Sequence, residues 1–489
     1  MHKITTKETF KIYNTLSRKK EVFMPIISGH VGMYVCGATV YNDVHLGNCR
    51  TFISLDLIVR YFRYLGYKVR YVRNITDVGH LEDETNDSYD KITKKALIER
   101  IEPMELAQKY TYYLHSILDK FNALSPNIEP SASGHIIEQI EIIKMLIKKG
   151  FAYEIDGSVY LDLNTYIYRY KYGILSRSNI EKTLEGNSRC LKNRRQKRNT
   201  KDFSLWKKAD DAHIMQWMSP WGRGFPGWHL ECTTMSLKYL GDVFDVHAGG
   251  IDLKFPHHDC EIAQSISLHG KIPVHYWIHT NLLTLNGEKM SKSIGNTIFP
   301  FDILTKFSSD VIRFFILQTH YRKILDFSSK ALVSAKIGYN RLIESFLTLE
   351  VIFRRNIKVS TSTLNIITWK QKCYDAMNDD FNSPRLIAHL FEAMHCIHSL
   401  LEGDEYLTYY DLKLLENTMK SFFLEVLGLK IKIKKQTSKV EELLKFLIEI
   451  RSKARKEKNW VISDNIRKDL FKIGYNLLDN ENETKVEVI

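Results

Sequence analysis

Residues 32–50 read Gly-Met-Tyr-Val-Cys-Gly-Ala-Thr-Val-Tyr-Asn-Asp-Val-His-Leu-Gly-Asn-Cys-Arg, and this stretch decides the fold. Met33 to Cys36 is short, apolar and β-prone, which predicts a buried strand. Gly37 breaks the pattern, and residues 51–65 then carry apolar side chains at helical spacing, with Gly66 at the end. Such a strand–turn–helix unit places free backbone N–H groups beside the carboxyl end of the strand, where phosphates bind in open α/β sheets.

Two side chains of this unit, Cys36 and His45, are candidates for chemistry, and both have a structural alternative. A lone cysteine in an apolar strand is usually a small buried hydrophobe, and the stretch by itself favours that interpretation of Cys36. His45 is equally well explained as a capping group. Asn42 and Asp43 suit a turn or a helix N-cap.

A second strand is predicted from Tyr67 to Ile75, where apolar and basic residues alternate. Its arrival after the helix completes a βαβ unit, so Thr76 and Asp77 fall at the same sheet edge as Cys36. A capping role explains Thr76 and Asp77 equally well. We therefore predict a parallel sheet with polar residues gathered at its carboxyl edge.

The composition limits the classes of protein that this chain can belong to. Its 489 residues are too many for one core and predict two to four domains. An excess of 70 basic over 57 acidic residues gives a net charge of +13, which favours a polyanionic partner, although a basic balance alone also fits a merely soluble protein. The seven cysteines are scattered and odd in number, which indicates a reducing, cytoplasmic compartment. Met1 to Lys20 lacks an apolar signal core, and no run is long enough to span a bilayer, so we expect no membrane attachment.

Three further segments each allow two interpretations. His257 and Glu261 are four apart and share a helix face near Cys260, which suggests either a metal site or an ordinary helix start. The loop from Lys289 to Ser293 either closes over phosphates or is a charged surface loop. The basic run from Ser188 to Lys201 is either a solvated loop or a contact to a phosphate backbone.

The order of these segments carries a family resemblance. Val44-His45-Leu46-Gly47-Asn48 and Lys289-Met290-Ser291-Lys292-Ser293 resemble the two signature motifs of class I aminoacyl-tRNA synthetases. Within that class the chain closely resembles the cysteinyl-tRNA synthetase family from about Lys11 to Lys472. The further matching segments are Gly32–Gly37, Asn74–Asp77, Pro226–His229 with Cys232, Phe255–His258 with Glu261, and Asp380–Asn382.

The resemblance implies an α/β fold in five parts. Residues 1–125 and 216–310 are expected to form the two halves of a Rossmann-like catalytic domain with a parallel sheet. Residues 126–215 are expected to form an inserted connective domain. An all-α helical bundle over 311–430 and a small anticodon-binding domain over 431–489 are expected to follow. The implied partners are L-cysteine, ATP and tRNA(Cys), and the implied state is a monomer.

The resemblance also implies the chemistry: ATP-dependent activation of cysteine to cysteinyl-adenylate, then transfer to the 3′ end of tRNA. One zinc ion is implied, and its soft thiolate ligand from the substrate would select cysteine over serine without an editing domain. The implied zinc ligands are Cys36, Cys232, His257 and Glu261. The implied cysteine-binding residues are Gly37, Thr76 and Trp228.

ATP, accompanied by Mg²⁺, is implied to bind at the two signature motifs and at the end of a later strand. The implied ATP-binding residues are His45, Gly47, Gly250, Asp252 and Lys292. The implied catalytic residues are His45, Asn48, Lys289 and Lys292. Their task would be positioning and charge stabilisation at the α-phosphate.

Two departures from the family pattern stand out. Position 48 is Asn where the class has a second His, and an amide can still donate a hydrogen bond. From Leu477 onward the chain lacks the Trp and Arg of the usual family ending. Contacts to the anticodon are therefore assigned to basic and aromatic residues of the two preceding helices, namely Arg451, Arg455, Lys458, Trp460 and Arg467.

Two other functions compete with this hypothesis. A cysteine ligase that passes cysteine to a small amine would share the catalytic half, but the basic helices of residues 440–472 argue against it. An RNA-binding relative with a dead active site would not need the intact 289–293 loop and all four implied zinc ligands.

Overall fold

The structure is a computed structural model that describes residues 10–78, 91–177, 197–210, 213–290, 295–355, 359–431, 437–479 and 484–488. The chain divides into two compact units, Met1–Lys430 and Ile431–Ile489. The five-part division expected from the sequence is finer than this and stays a prediction. None of the helices in the described ranges is long and apolar enough to cross a membrane.

The regular elements alternate between strands and helices in the first 300 residues and are mainly helical afterwards. The strands are β1 (Lys11–Asn14), β2 (Lys19–Val22), β3 (His30–Val35), β4 (Lys68–Arg73), β5 (Ala152–Ile155), β6 (Ser158–Leu161), β7 (Phe203–Lys208), β8 (Trp217–Ser219), β9 (Gly222–Pro226), β10 (Phe244–Gly250), β11 (Val274–Thr280), β12 (Leu283–Leu285), β13 (Glu288–Lys289), β14 (Leu325–Phe327), β15 (Tyr475–Asp479) and β16 (Thr484–Val488). The α-helices are α1 (Leu46–Tyr64), α2 (Lys91–Glu99), α3 (Pro103–Lys120), α4 (Ile136–Lys148), α5 (Leu163–Arg169), α6 (Trp228–Leu240), α7 (His257–His269), α8 (Pro300–Leu304), α9 (Ser309–Leu317), α10 (Ser329–Arg355), α11 (Ile366–Asn378), α12 (Ser383–Glu402), α13 (Tyr409–Lys420), α14 (Thr437–Lys456) and α15 (Trp460–Lys472).

A parallel sheet in the order β11-β10-β3-β4 forms the centre of the first unit. Its strands are almost wholly buried because helices cover both faces, as is usual for parallel sheets. From β3 the chain moves outward through α1 to β4, and β10 later pairs with the opposite side of β3. The strand order therefore reverses between β3 and β10, and ligands bind at such a switch point.

The βαβ unit predicted from residues 32–75 is confirmed, with different boundaries. Helix α1 begins at Leu46, five residues before the predicted start, because His45 rather than Asn42 or Asp43 is the N-cap. The His45 ring accepts a hydrogen bond from the Asn48 N–H at 3.3 Å, and the Asn48 side chain accepts one from the His45 N–H at 3.0 Å. This reciprocal cap stabilises the first turn.

An insertion between β4 and β10 carries helices α2 to α5 and an antiparallel sheet in the order β5-β6-β7-β9-β8. Strands β8 and β9 lie beyond residue 215, where the insertion was expected to end. Most of the basic run, residues 188–196, lies outside the described residues.

The helical part of the first unit begins at α9 and is joined to the sheet region by Asp380. This buried carboxylate accepts hydrogen bonds from the Tyr13 N–H at 2.9 Å, the Tyr321 hydroxyl at 2.6 Å and Arg322 Nε at 2.6 Å. Two residues later, Asn382 caps α12 through the Arg385 N–H. Asp380 thus links the β1 strand to the helical region.

The second unit contains two helices, α14 and α15, followed by an antiparallel hairpin of β15 and β16. The sequence predicted both helices and a polar tail after them. The hairpin replaces that tail because Leu477 is fully buried and the carboxylate of Asp479 binds the Arg451 guanidinium at 2.7 and 2.6 Å.

Candidate active site

The four residues implied as zinc ligands come together at the carboxyl edge of the sheet. Cys36 directly follows β3, Cys232 lies in the second turn of α6, and His257 and Glu261 share one face of α7. The Cys36 Sγ lies 3.8 Å from the Cys232 Sγ and 3.9 Å from Glu261 Oε1. All four residues are buried, and their ligand atoms lie within 4.8 Å of one another.

The chemistry of these four groups fits a divalent cation. Burial raises the pKa of the Cys36 thiol to about 11 and holds the pKa values of Cys232 and Glu261 well above their usual ranges. Burial also lowers the pKa of His257 to about 3, so its imidazole is neutral. A dication reverses the penalty on the anionic groups and binds neutral imidazole, which makes the cluster a suitable zinc site.

His257 is oriented by a neighbouring histidine. Its Nδ1 lies 3.0 Å from Nδ1 of His229, while its Nε2 lies 3.1 Å from Oε1 of Glu261 without hydrogen-bond geometry. Among the described residues, that Nε2 atom has no hydrogen-bond partner. Metal-binding histidines typically use one ring nitrogen for an outer hydrogen bond and the other for the ion.

A second group of ligand atoms overlaps the first. Cys36 Sγ also lies 3.4 Å from Nε2 of His247 and 3.3 Å from Nε2 of His258, and these three residues with Glu261 again span less than 4.8 Å. The Nδ1 of His258 is 2.9 Å from Nε2 of His279. Distances alone therefore allow two sets of four ligands.

The site opens onto a cavity of about 400 Å³ at the switch point. Cys36, Cys232 and His257 line this cavity. Three residues of the two ligand groups, His247, His258 and Glu261, are absent from the described lining of the cavity.

The three residues implied to bind cysteine also line the cavity. The ring of Trp228 packs 4.7 Å from that of His257, and the Thr76 hydroxyl donates a hydrogen bond to Glu231 Oε1 at 2.5 Å. The Gly37 N–H donates to the Asn74 side chain at 2.8 Å. A Cβ atom at residue 37 would overlap the Asn74 carbonyl oxygen, so only glycine fits there.

Four of the five residues implied to bind ATP lie around the first turn of α1 and the end of β10. His45 and Asn48 line the cavity at the helix N-terminus, whose backbone N–H groups favour anions. Across the cavity, Gly250 ends β10, and Asp252 lies in the 3₁₀ turn Ile251–Lys254.

The second signature motif reaches the same helix end. Met290 is buried, and its Cε lies 3.7 Å from the position that a Cβ of Gly47 would occupy. On the far side of the loop, the Ile298 carbonyl accepts a hydrogen bond from the Leu46 N–H at 2.9 Å. Lys289 is exposed at the end of β13, and Lys292 lies outside the described residues.

The five residues assigned to the anticodon differ in exposure. Arg451 is 3% exposed and is held by Asp479, which Arg455 also approaches at 3.2 Å. Arg451 is therefore a structural cation of the second unit and has little surface for RNA. The other four residues are exposed, namely Arg455, Lys458, Trp460 and Arg467.

Comparisons with known proteins agree with this geometry. Residues 22–337 match the model for the tRNA synthetases class I (C) catalytic domain, and residues 372–432 match the DALR domain. The cysteine–tRNA ligase of Bacteroides fragilis is 48% identical over 481 residues, which covers 96% of this chain and 97% of that protein. The chain belongs to the cysteine–tRNA ligase family. The cysteine–tRNA ligase of Porphyromonas gingivalis is 47% identical over 483 residues, with the same coverage of 96% and 97%.

Solved structures place the cysteine–tRNA ligase family fold among other synthetases. A methionyl-tRNA synthetase from Mycobacterium tuberculosis, solved with methionyl-adenylate, superposes with a TM-score of 0.56 at 15% identity. The match covers 81% of this chain and 89% of that chain. The predicted fold class, a parallel-sheet α/β domain followed by helices, is confirmed.

Four buried residues of this cysteine–tRNA ligase family member carry no role predicted from the sequence. They are His229, Glu231, His247 and His258, which surround the cluster. His229 and Glu231 both lie within two turns of Cys232 on α6, and His258 directly follows His257. Glu231 and His258 each directly neighbour an implied ligand in the sequence, which was the available signal, whereas His247 lies far from any of them along the chain.

Proposed function

We propose that this member of the cysteine–tRNA ligase family selects cysteine through a zinc ion held by Cys36, Cys232, His257 and Glu261. Family membership implies ATP-dependent attachment of cysteine to tRNA. The observation that carries the zinc assignment is the buried convergence of two thiols, an imidazole and a carboxylate, of which the two thiols and the imidazole line one cavity.

The cavity favours this ligand set over the set with His247 and His258. An ion that discriminates substrates has to be reached by the substrate's sulfur, and Cys232 and His257 face the cavity. The Nδ1 of His258 instead contacts Nε2 of His279 at 2.9 Å, and Nδ1 of His279 contacts the Thr15 hydroxyl at 2.9 Å. We assign His247 and His258 to the support of Cys36 rather than to the metal.

A bound zinc ion supplies a soft Lewis acid that prefers a thiolate to a hydroxyl. The chain's own residues hold the rest of the amino acid. Trp228 forms a flat apolar wall beside His257, and Thr76, held by Glu231, offers its hydroxyl oxygen to the polar end of cysteine. Gly37 leaves room for the substrate at the carboxyl end of β3. An apolar pocket alone discriminates by only about 1–3 kcal/mol per small group, so the metal is needed to reject serine.

The ATP side of the cavity positions the α-phosphate for attack by the cysteine carboxylate. We propose that His45, Asn48 and the α1 N-terminus bind phosphate oxygens, and that Gly47, Gly250 and Asp252 bind the adenosine. Lys289 and Lys292 are proposed to neutralise the charge that develops at the α-phosphate. Mg²⁺ is proposed to accompany ATP.

The remaining assignments are proposals as well. We propose a five-part domain organisation over 1–125, 126–215, 216–310, 311–430 and 431–489. Arg455, Lys458, Trp460 and Arg467 are proposed to contact the anticodon. A monomer in the cytoplasm is proposed, in agreement with the free thiols of the six cysteines in the described part of the chain.

Metal content and substrate choice test this function together. We expect elemental analysis of the purified protein to find about one zinc ion per chain, with cysteine-dependent exchange of pyrophosphate into ATP. Serine in place of cysteine should give no measurable exchange, and tRNA rather than an aminosugar should accept the cysteine. A protein without zinc that still activates cysteine and rejects serine would refute the proposal.

Lys292→Ala tests the second signature motif. Because Met290 and Ile298 hold both ends of the loop at α1, the lysine is expected to act on the phosphate rather than on cysteine. The rate of adenylate formation should fall by about 10²–10³-fold while the affinity for cysteine changes little. Pre-steady-state measurement of the adenylate checks this, with Lys306→Ala as an exposed control, and an unaltered rate would remove the assigned role.

A further inference from the structure

One wall of the cavity is used by neither the cysteine site nor the ATP site. It is formed by Tyr41, Asn42 and Asp43 from the loop before α1 and by Lys91 at the start of α2. The Lys91 Nζ lies 5.8 Å from the centre of the Tyr41 ring, within the range of a cation–π contact. Both side chains are half-buried, so each presents part of its surface to the cavity. Of these four residues, we refer to Tyr41 and Lys91 together as the Tyr41–Lys91 wall.

The loop that carries Tyr41 is fixed at both ends. At one end the Val40 N–H donates to the Thr76 carbonyl at 3.1 Å, and the Thr76 N–H donates to the Ala38 carbonyl at 3.2 Å. At the other end, His45 caps α1. Because Thr76 belongs to the proposed cysteine site and His45 to the proposed ATP site, the wall lies between the two.

The second half-reaction needs a third substrate at this place. The ribose hydroxyl of the terminal tRNA nucleotide bonds to the cysteinyl carbonyl carbon and releases its proton to water, and the bond from that carbon to the phosphate oxygen breaks so that AMP leaves with its electron pair. That carbonyl lies where the cysteine and ATP sites meet. The attacking nucleotide carries an aromatic base and a 5′ phosphate, which are the groups that an aromatic ring and a lysine bind.

We propose that Tyr41 and Lys91 bind the terminal nucleotide of the tRNA, with the tyrosine ring against the base and the lysine at the phosphate. This inference rests on the proposed function. It assigns to the transfer step two residues that neither the signature motifs nor the zinc cluster include. Asn42 and Asp43, beside the Tyr41–Lys91 wall, offer hydrogen-bonding groups for the ribose.

Separate measurement of the two half-reactions distinguishes binding of the terminal nucleotide from the other roles that residues of the cavity can have. Lys91→Ala and Tyr41→Leu should each slow single-turnover transfer from preformed cysteinyl-adenylate to tRNA by about ten-fold or more, relative to their rates of pyrophosphate exchange. Tyr41→Phe, which keeps the ring, and Lys91→Arg, which keeps the charge, should recover most of the transfer rate. Lys94→Ala is the matched control, because Lys94 is exposed on the same helix and does not line the cavity.

The possible results distinguish a failure of the inference on Tyr41 and Lys91 from a failure of the proposed function. Equal losses of exchange and transfer would place the wall at ATP or pyrophosphate and overturn the inference. Unchanged transfer in Lys91→Ala and Tyr41→Leu would also overturn it. If Tyr41→Leu does not fold, the comparison of Lys91→Ala with Lys91→Arg decides alone. Absence of cysteine-dependent exchange in the unaltered protein would instead refute the proposed function.

Discussion

Cys232→Ser is expected to strip zinc from the protein and to remove most of its selectivity for cysteine. The substitution exchanges one of two thiolates for a hydroxyl, which is a hard, scarcely ionised ligand at neutral pH. Loss of an outer hydrogen-bond partner already costs a metal site about 10–100-fold in affinity, and loss of a ligand should cost more. Zinc retained against a competing chelator, together with the KM for cysteine in pyrophosphate exchange, measures the effect.

Matched variants make the result specific. Cys396→Ser changes a partly exposed thiol on α12 and should leave zinc and exchange unaltered. His258→Asn removes a supporting contact of Cys36 and not a proposed ligand, so it should weaken zinc binding by no more than about 10–100-fold and keep the ion when zinc is in excess. Zinc that survives Cys232→Ser and disappears in His258→Asn would assign the metal to the second group of ligand atoms.

Gly37→Ala is expected to slow cysteine activation severely. A Cβ atom at this position overlaps the Asn74 carbonyl oxygen, which is backbone and has no alternative rotamer. The loop after Cys36 would have to move away from the end of β4 and break the hydrogen bond between Gly37 and Asn74. Overpacking of this kind costs about 1–3 kcal/mol or more. At about 1.4 kcal/mol for each factor of ten, we expect kcat/KM for cysteine to fall by about 100-fold.

Gly32→Ala, on the strand β3 that precedes Gly37, is the control. Its Cβ would lie 3.5 Å from Leu240 Cδ2, an ordinary van der Waals contact, so activity close to that of the unaltered protein is expected. Thermal unfolding of both variants separates a local effect on the loop from a general loss of stability. If Gly37→Ala activated cysteine normally, the close packing of this loop against Asn74 would be contradicted.

The parts of the fold that could be predicted are those that depend on sequence patterns spanning only a few residues. Strand and helix periods and glycine breaks act over a few residues, so the βαβ unit of residues 32–75 could be predicted from composition and spacing. The start of α1 could not, because a histidine is an unusual N-cap and its role depends on the reciprocal bond to Asn48. The β15–β16 hairpin was missed for a similar reason, since Arg451 and Asp479 stabilise it across 28 residues.

By itself, the sequence determined the parallel α/β core and, through its family resemblance, the reaction, and it named the helix end and the four residues that are proposed to bind phosphate and zinc. Only the tertiary structure decided which groups share the site with them. Cys36 and Cys232 are 196 residues apart and meet because α6, which carries Cys232, packs against β3 where β3 pairs with β10 and the strand order reverses. That same pairing brings His247 and His258 to the Cys36 sulfur, and backbone contacts to Thr76 and the cap at His45 hold the Tyr41 loop between the two proposed substrate sites. Local spacing carries no information on such contacts, because they depend on the order of strands in the sheet.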